Sequence, residues 1–174
     1  MTKRLNRILP IFLVAVLLAV GAVPALAMKP ERATIVDVAL DANAQTGEFS
    51  ILIQALLAAD PAVLETLAGN GQFTVFAPTD EAFDALLGEL GLTAEELLGN
   101  QELVTQVLLY HVLNGRRDSG DILASDRLRT LQRGFLFQSG GVLTDANGRT
   151  ANIIATDIMA DNGIIHVIDR VVLP

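Results

Sequence analysis

The order of apolar patterns along this chain predicts an α+β domain, with helices in the N-terminal half and short strands in the C-terminal half. Three observations carry that expectation. Before about residue 109 the apolar side chains recur mostly at helical spacing between cap signals. After it, short runs rich in Ile, Val, Leu and Phe alternate with turn residues. Between them in kind lies the stretch 72–87, QFTVFAPTDEAFDALL, which changes from a period of two to a helical period within sixteen residues.

The chain opens with Lys3, Arg4 and Arg7, runs apolar from residue 8 to 23, and reaches Ala25-Leu26-Ala27 after Pro24. This has the three regions of a secretory signal, and Pro10, Gly21 and Pro24 break the run too often for a membrane span. Cleavage after Ala27 is expected to leave residues 28–174 as a single domain, 147 residues (174 less 27). That length suits one core. With no cysteine in the chain, a lipid anchor, disulfides and thiolate chemistry are all excluded. The expected mature chain carries nine Lys+Arg (twelve less three) against twenty Asp+Glu, a formal charge of −11. Such a field repels phosphate backbones, so neither nucleic acid nor an anionic membrane surface is expected as a partner, and no stable membrane anchor remains.

Taken in order, residues 34–44 (TIVDVALDANA) fit a first helix, and the more apolar 48–59 (EFSILIQALLAA) fits a buried second one. Pro61 suits the first turn of a third that ends near Gly69. Phe73, Val75 and Ala77 then point to one side of a strand and Thr74 and Phe76 to the other. Pro78 ends it, Thr79 or Asp80 can cap a fourth helix, and Phe83, Leu86, Leu87 and Leu90 form that helix's apolar face, expected in the same core as the strand. Thr93 and Glu96 make a capping box, and Asn100 can cap a further helix bearing Leu103, Val107 and Leu108. Short strands are expected in YHVL, LRTL, FLFQ, GVLTD, RTANIIATDI and GIIHVIDRVVL. Asn-Gly occurs at 70/71, 114/115, 147/148 and 162/163, the chemistry of tight turns with positive φ.

The catalytic inventory is thin. His111 and His166 stand on separate runs without paired spacing, so no metal site is expected. No serine lies in a G-x-S-x-G elbow, and no nucleotide loop occurs. Residues 41–52 imitate a calcium loop but have Thr46 where Gly is needed and Leu52 where Glu is needed. No enzyme activity, catalytic residue, cofactor or metal is therefore expected. Tyr110 and His111 sit in the apolar run LLYHVL, where each ring needs a partner for its polar atoms.

Three stretches together, FTVFAPTDEAFDAL, LLYHVLNG and DIMADNGIIHVIDRVVLP, resemble the fasciclin domain family in order and spacing, from about residue 35 to the end. The resemblance implies a fasciclin-type fold, a short-stranded β-sandwich or wedge packed against several helices. It also implies a secreted, extracellular or periplasmic, non-enzymatic module for cell adhesion. Its partner would be a cell-surface or matrix protein or polysaccharide. In animal matrix members a Tyr-His motif and an Asp-Ile motif have binding roles. Tyr110 and His111, and Asp157 and Ile158, match them, and Asp121-Ile122 looks like a second Asp-Ile motif. Arg116 and Arg117 depart from the family pattern and make a local basic spot. Adhesion gains strength from linked copies, so one domain would need self-association. The alternative is an extracellular carrier of an apolar small molecule, carotenoid- or lipid-like, because some algal proteins resembling the family bind carotenoids and the helices at 48–59 and 100–109 are apolar enough to line a pocket.

Overall fold

The structure, a computed structural model, describes residues 33–174. The signal expected over residues 1–27 lies outside the described residues. Three helices come first: α1 (Ile35–Thr46), α2 (Ser50–Ala58) and α3 (Pro61–Ala68). After β1 (Phe73–Pro78) follow α4 (Asp80–Leu90), α5 (Ala94–Leu98) and α6 (Gln101–Tyr110). Then come β2 (Val112–Asn114), the short α7 (Ser119–Leu123), β3 (Arg127–Arg129), β4 (Phe135–Ser139), β5 (Val142–Thr144), β6 (Thr150–Ala160) and β7 (Gly163–Ile168). The α+β expectation holds.

The seven strands lie in the order β2-β1-β7-β6-β5-β4-β3. Only β1 and β7 run parallel, in register from Phe73 beside Gly163 to Pro78 beside Ile168. Strand β6 serves both halves of the sheet: residues 150–152 pair with β5, and 153–160 pair with β7 through two register shifts. Such bulges bend and twist a strand. The sheet folds over until its two ends meet, joined by a Leu113–Thr130 bridge and a 2.7 Å bond from Leu131 N–H to the Val112 carbonyl. Phe76, Tyr110, Leu128, Leu136, Leu143 and Ile168 fill the space inside. Each such fully buried apolar side chain contributes roughly 1.5–3 kcal/mol. On the other face of β1 and β7, Val75, Ala77, Ile165 and Val167 pack against α1, α2, α3 and α6.

Several expectations need correction. Tyr110 ends α6 and His111 is its C-cap, so the strand expected in YHVL begins only at Val112. A short apolar run reads equally as either element, and here three backbone carbonyls of the last turn hold the His111 N–H in the helix. SGDIL forms the last helix, α7, capped by Asp118. Helix α4 packs Phe83, Leu86 and Leu87 with Leu97, Val107 and Val171 in a cluster distinct from those of β1, and Leu90 is exposed. Thr79 caps α4, while the Asp80 carboxylate accepts from Ser50 N–H (3.0 Å) and Ile51 N–H (2.8 Å), capping α2. Helix α2 is less buried than expected: Ala55 is its one fully buried residue and Leu57 is 70% exposed.

Of the four Asn-Gly pairs, only Gly115 (φ 89°) and Gly148 (φ 79°) take the positive φ of a tight turn. Gly163 is needed for another reason, since a Cβ there would lie 2.2 Å from the Phe73 carbonyl oxygen. Its neighbour Asn162 is a buried latch. The side-chain oxygen accepts from Ile35 N–H at the start of α1 (2.8 Å), and the amide nitrogen donates to the Leu67 and Gly69 carbonyls at the end of α3 (2.6 and 2.9 Å). These are end groups a helix leaves unpaired. We expect Asn162→Ala to lower the unfolding free energy by about 3 kcal/mol, because it strands three buried polar groups. Urea titration reads this directly, and a loss below about 0.5 kcal/mol would show that water replaces the latch.

Candidate functional site

The residues singled out from the sequence fall into two environments. Tyr110 and His111 are interior, 1% and 2% exposed. Tyr110 donates its hydroxyl proton to the Phe135 carbonyl (2.7 Å) and accepts from Ala146 N–H (3.3 Å). Burial raises its pKa, and nearby Asp145 adds to the rise. His111 donates from Nδ1 to the Val107 carbonyl (2.7 Å), and its Nε2 accepts from Val172 N–H (3.3 Å). A carbonyl can only accept, so the ring is the neutral Nδ1–H tautomer. Burial pushes its pKa down to about 4, against the opposing pull of the Val107 bond and Asp145.

The other residues meet at the surface. Asp157 sits at a register shift in β6 with φ at 61°, a conformation costly for a residue with a Cβ. Its carboxylate accepts from the Ser119 N–H (2.8 Å) and hydroxyl (2.5 Å) at the start of α7, which holds its pKa below the usual carboxylate range. Its own N–H donates to Nδ1 of the fully buried His166 (3.3 Å), whose Nε2 donates to the Arg117 carbonyl (3.0 Å). Arg117 N–H in turn donates to the Thr74 hydroxyl (2.9 Å), which donates to the Gly115 carbonyl. One hydrogen-bonded chain thus clamps the loop 115–119 onto β1, β6 and β7. Arg116 and Asp121 stay exposed at its rim, and Arg116 reaches the Met159 sulfur (3.2 Å). Ile122 turns inward, and half-buried Ile158 packs toward α1. The clamp residues Ser119 and Thr74 were missed by sequence reasoning, whereas the His166 ring, polar amid the apolar run IIHVID, shows from the sequence that it needs a partner and finds two here.

A second feature lies beneath the first helices. Leu40 of α1, Leu52, Leu56 and Leu57 of α2, and Leu64 of α3 cover an apolar cavity of about 230 Å³ floored by Val75, Ala77 and Ile165. His111 also borders it, with its polar atoms already engaged. Leu40 and Leu57 are both exposed. Among the described residues every buried side-chain polar atom has a partner, and no three His, Cys, Asp or Glu side chains stand where they could hold a metal ion. No single described helix is long and apolar enough to cross a membrane, although α2 and α3, bent by 116°, pass that test as a pair.

A helix-backed, folded-over sheet with a clamped surface loop and an apolar cavity defines an α+β module. The Fasciclin domain model matches residues 47–174, and the chain belongs to the fasciclin domain family. It is 37% identical over 143 residues to Protein sll1483 of Synechocystis sp., covering 81% of this chain and 73% of that one. It is 39% identical over 149 residues to the transforming growth factor-beta-induced protein ig-h3 of Sus scrofa, covering 84% of this chain but only 20% of that protein. A solved FAS1 domain pair from the insect cell adhesion molecule Fasciclin I shares the fold, with a TM-score of 0.59 and 22% identity, over 74% of this chain and 46% of that one.

The His111 geometry sets a pH dependence. Its folded pKa near 4 lies below the ordinary value of about 6.5, so between these the unfolded chain binds the extra proton and stability falls with pH. We expect wild-type unfolding free energy to drop by roughly 2 to 3 kcal/mol from pH 7 to 4.5, and His111→Asn to lose that slope whatever its stability at pH 7. Equal slopes in urea titrations of the two proteins would place the ring's titration elsewhere.

Proposed function

We propose that this chain is a secreted, non-enzymatic adhesion module that binds a cell-surface or matrix protein or polysaccharide, with residues 28–174 acting as one fasciclin domain after removal of the leader. The clamp carries this reading. Four hydrogen bonds from buried or half-buried groups hold a loop in one conformation and leave Arg116 and Asp121 exposed at its rim. Holding a surface loop rigid lowers the entropy cost of docking. Its buried members Thr74 and His166 support that surface from behind. The adhesive property named for Fasciclin I agrees with this reading.

The cavity favours a second reading, a carrier of an apolar small molecule. Its walls are apolar, its mouth is exposed leucine, and it has room for part of a lipid- or carotenoid-like chain. Of the two helices expected to line such a pocket, the one at 48–59 contributes Leu52, Ile53, Leu56 and Leu57, whereas the one at 100–109 contributes Leu108 alone, and α1 supplies as many lining residues as α2.

Two measurements test these readings. In a sedimentation assay with cell-wall or matrix fractions, the Arg116→Glu, Asp121→Lys double variant is expected to bind at least about tenfold more weakly than wild type, a loss of about 1.4 kcal/mol, with an unchanged melting temperature. Equal retention of the two would remove the loop as the contact. Native mass spectrometry of protein purified from its own secretory compartment is expected to show added apolar mass for a carrier. A bare chain of residues 28–174 would leave adhesion standing alone and would also establish the cleavage site.

A further inference from the structure

Charge is divided along this fold with unusual sharpness. From residue 33 to 115 the chain holds twelve Asp and Glu and no Lys or Arg, whereas residues 116–174 hold seven of each sign, every cation an arginine. Of α1 to α6, all but α2 carry carboxylates, and none carries a cation. Two of the arginines, Arg149 and Arg170, pair with Glu89 at 2.6 and 3.2 Å. Among the described residues, Arg127, Arg129 and Arg133 make no ion pair.

The unpaired arginines stand on a built surface. In β3 the side chain of Leu128 is fully buried, so Arg127 and Arg129 both point outward. In register opposite them on β4 are Phe137, 49% exposed, and half-buried Phe135. The Arg127 guanidinium lies 4.4 Å from the centroid of the Phe135 ring, which holds both planar groups in place. Arginine beside aromatic rings, pre-ordered and unpartnered, is the composition of an interface anchor. The matching surface is on the same molecule. Around the cavity mouth, exposed Leu40 lies on α1, which also carries Asp37 and Asp41, and exposed Leu57 lies on α2, which is followed by Asp60 as the N-cap of α3 and by Glu65 within that helix.

We propose that the outer face of β3 and β4 docks on the α1–α3 face of a second copy of this chain, with Phe137 against the leucines and Arg127 and Arg129 among the carboxylates. The two patches differ, so the contact is heterologous and adds copies head to tail. The net negative charge of each copy opposes long-range approach, and moderate salt screens that repulsion beyond about 10 Å while leaving close pairs less affected. This inference goes beyond the adhesion reading and rests on different residues. If both hold, the multimer supplies the avidity that one domain lacks.

Sedimentation velocity on the mature protein tests it. At about 100 mM salt, the weight-average mass is expected to rise at least about twofold with concentration, and to return to monomer at about 1 M salt. Arg127→Glu with Arg129→Glu removes one patch, and Leu57→Arg removes the other. Each variant alone is expected to be monomeric with an unchanged circular dichroism spectrum, and an equimolar mixture is expected to stop at a one-to-one dimer through the single intact pair of patches. Monomeric wild type at every concentration would overturn the proposal, as would association that survives both variants. Wild type that stays monomeric but is retained on an anionic-polysaccharide resin through Arg127 and Arg129 would overturn it too, reassigning the face to a polyanion.

Discussion

The parallel pairing of β1 with β7 sets the terms for the rest of the fold. Parallel neighbours cannot be joined by a tight turn, and here the crossover is everything between Pro78 and Gly163. All twelve residues of the two strands are buried, as is usual for a parallel pair covered on both faces. Closing so long a loop costs chain entropy before any contact returns it. Polar latches at the two ends of the pair offset that cost. Asn162 ties the Gly163 end to α1 and α3, and at the other end Thr79 N–H donates to the Ile168 carbonyl while Asp80 caps α2.

The candidate site follows from the same constraint. Thr74 and His166 lie within this buried pair, and a polar side chain there must find a partner. Both find it in the loop that follows β2, and His166 also reaches the backbone of the β6 bulge at Asp157. Asp157 is thereby held in its left-handed conformation by groups at the centre of the sheet. Tyr110 and His111 differ, because their polar atoms are spent on Phe135, Ala146, Val107 and Val172 within the core.

What was legible in the sequence is what local spacing controls. The alternation of Phe73, Val75 and Ala77 against Thr74 and Phe76 separates the two cores, and the Thr93–Glu96 box and the Asn100 cap are present as read. Residues whose partners are distant in sequence were illegible by the same logic. Asp80 looked like a cap for its own helix but serves one thirty residues earlier, and Asn162 looked like a turn but holds two helices. The Ser119–Asp157 bonds join segments 38 residues apart, so neither motif alone discloses that they form one surface. Helix α2 is the instructive miss. Its apolar sequence implied burial, yet its leucines roof a cavity and one stands mostly in solvent.

That cavity bears on both binding readings through its energetics. A sealed void forfeits about 24 cal/mol per Å³, so 230 Å³ left empty would forgo roughly 5 kcal/mol, a figure reduced here because the mouth is open. Even a fraction of that matters to a domain whose whole stability is about 5–15 kcal/mol. Natural interiors leave few voids larger than a water molecule, and larger side chains on α1 and α2 would narrow this one. Instead the lining is mostly leucine, isoleucine, valine and alanine, with Phe76 and His111, around a mouth of exposed leucine. An occupant recovers the forgone packing, and either an apolar ligand or an aromatic side chain from a neighbouring copy has the chemistry to do so. The two would share one mouth, so a filled cavity would exclude an inserted ring, and the proposed ligand loading and assembly would compete for the same leucines.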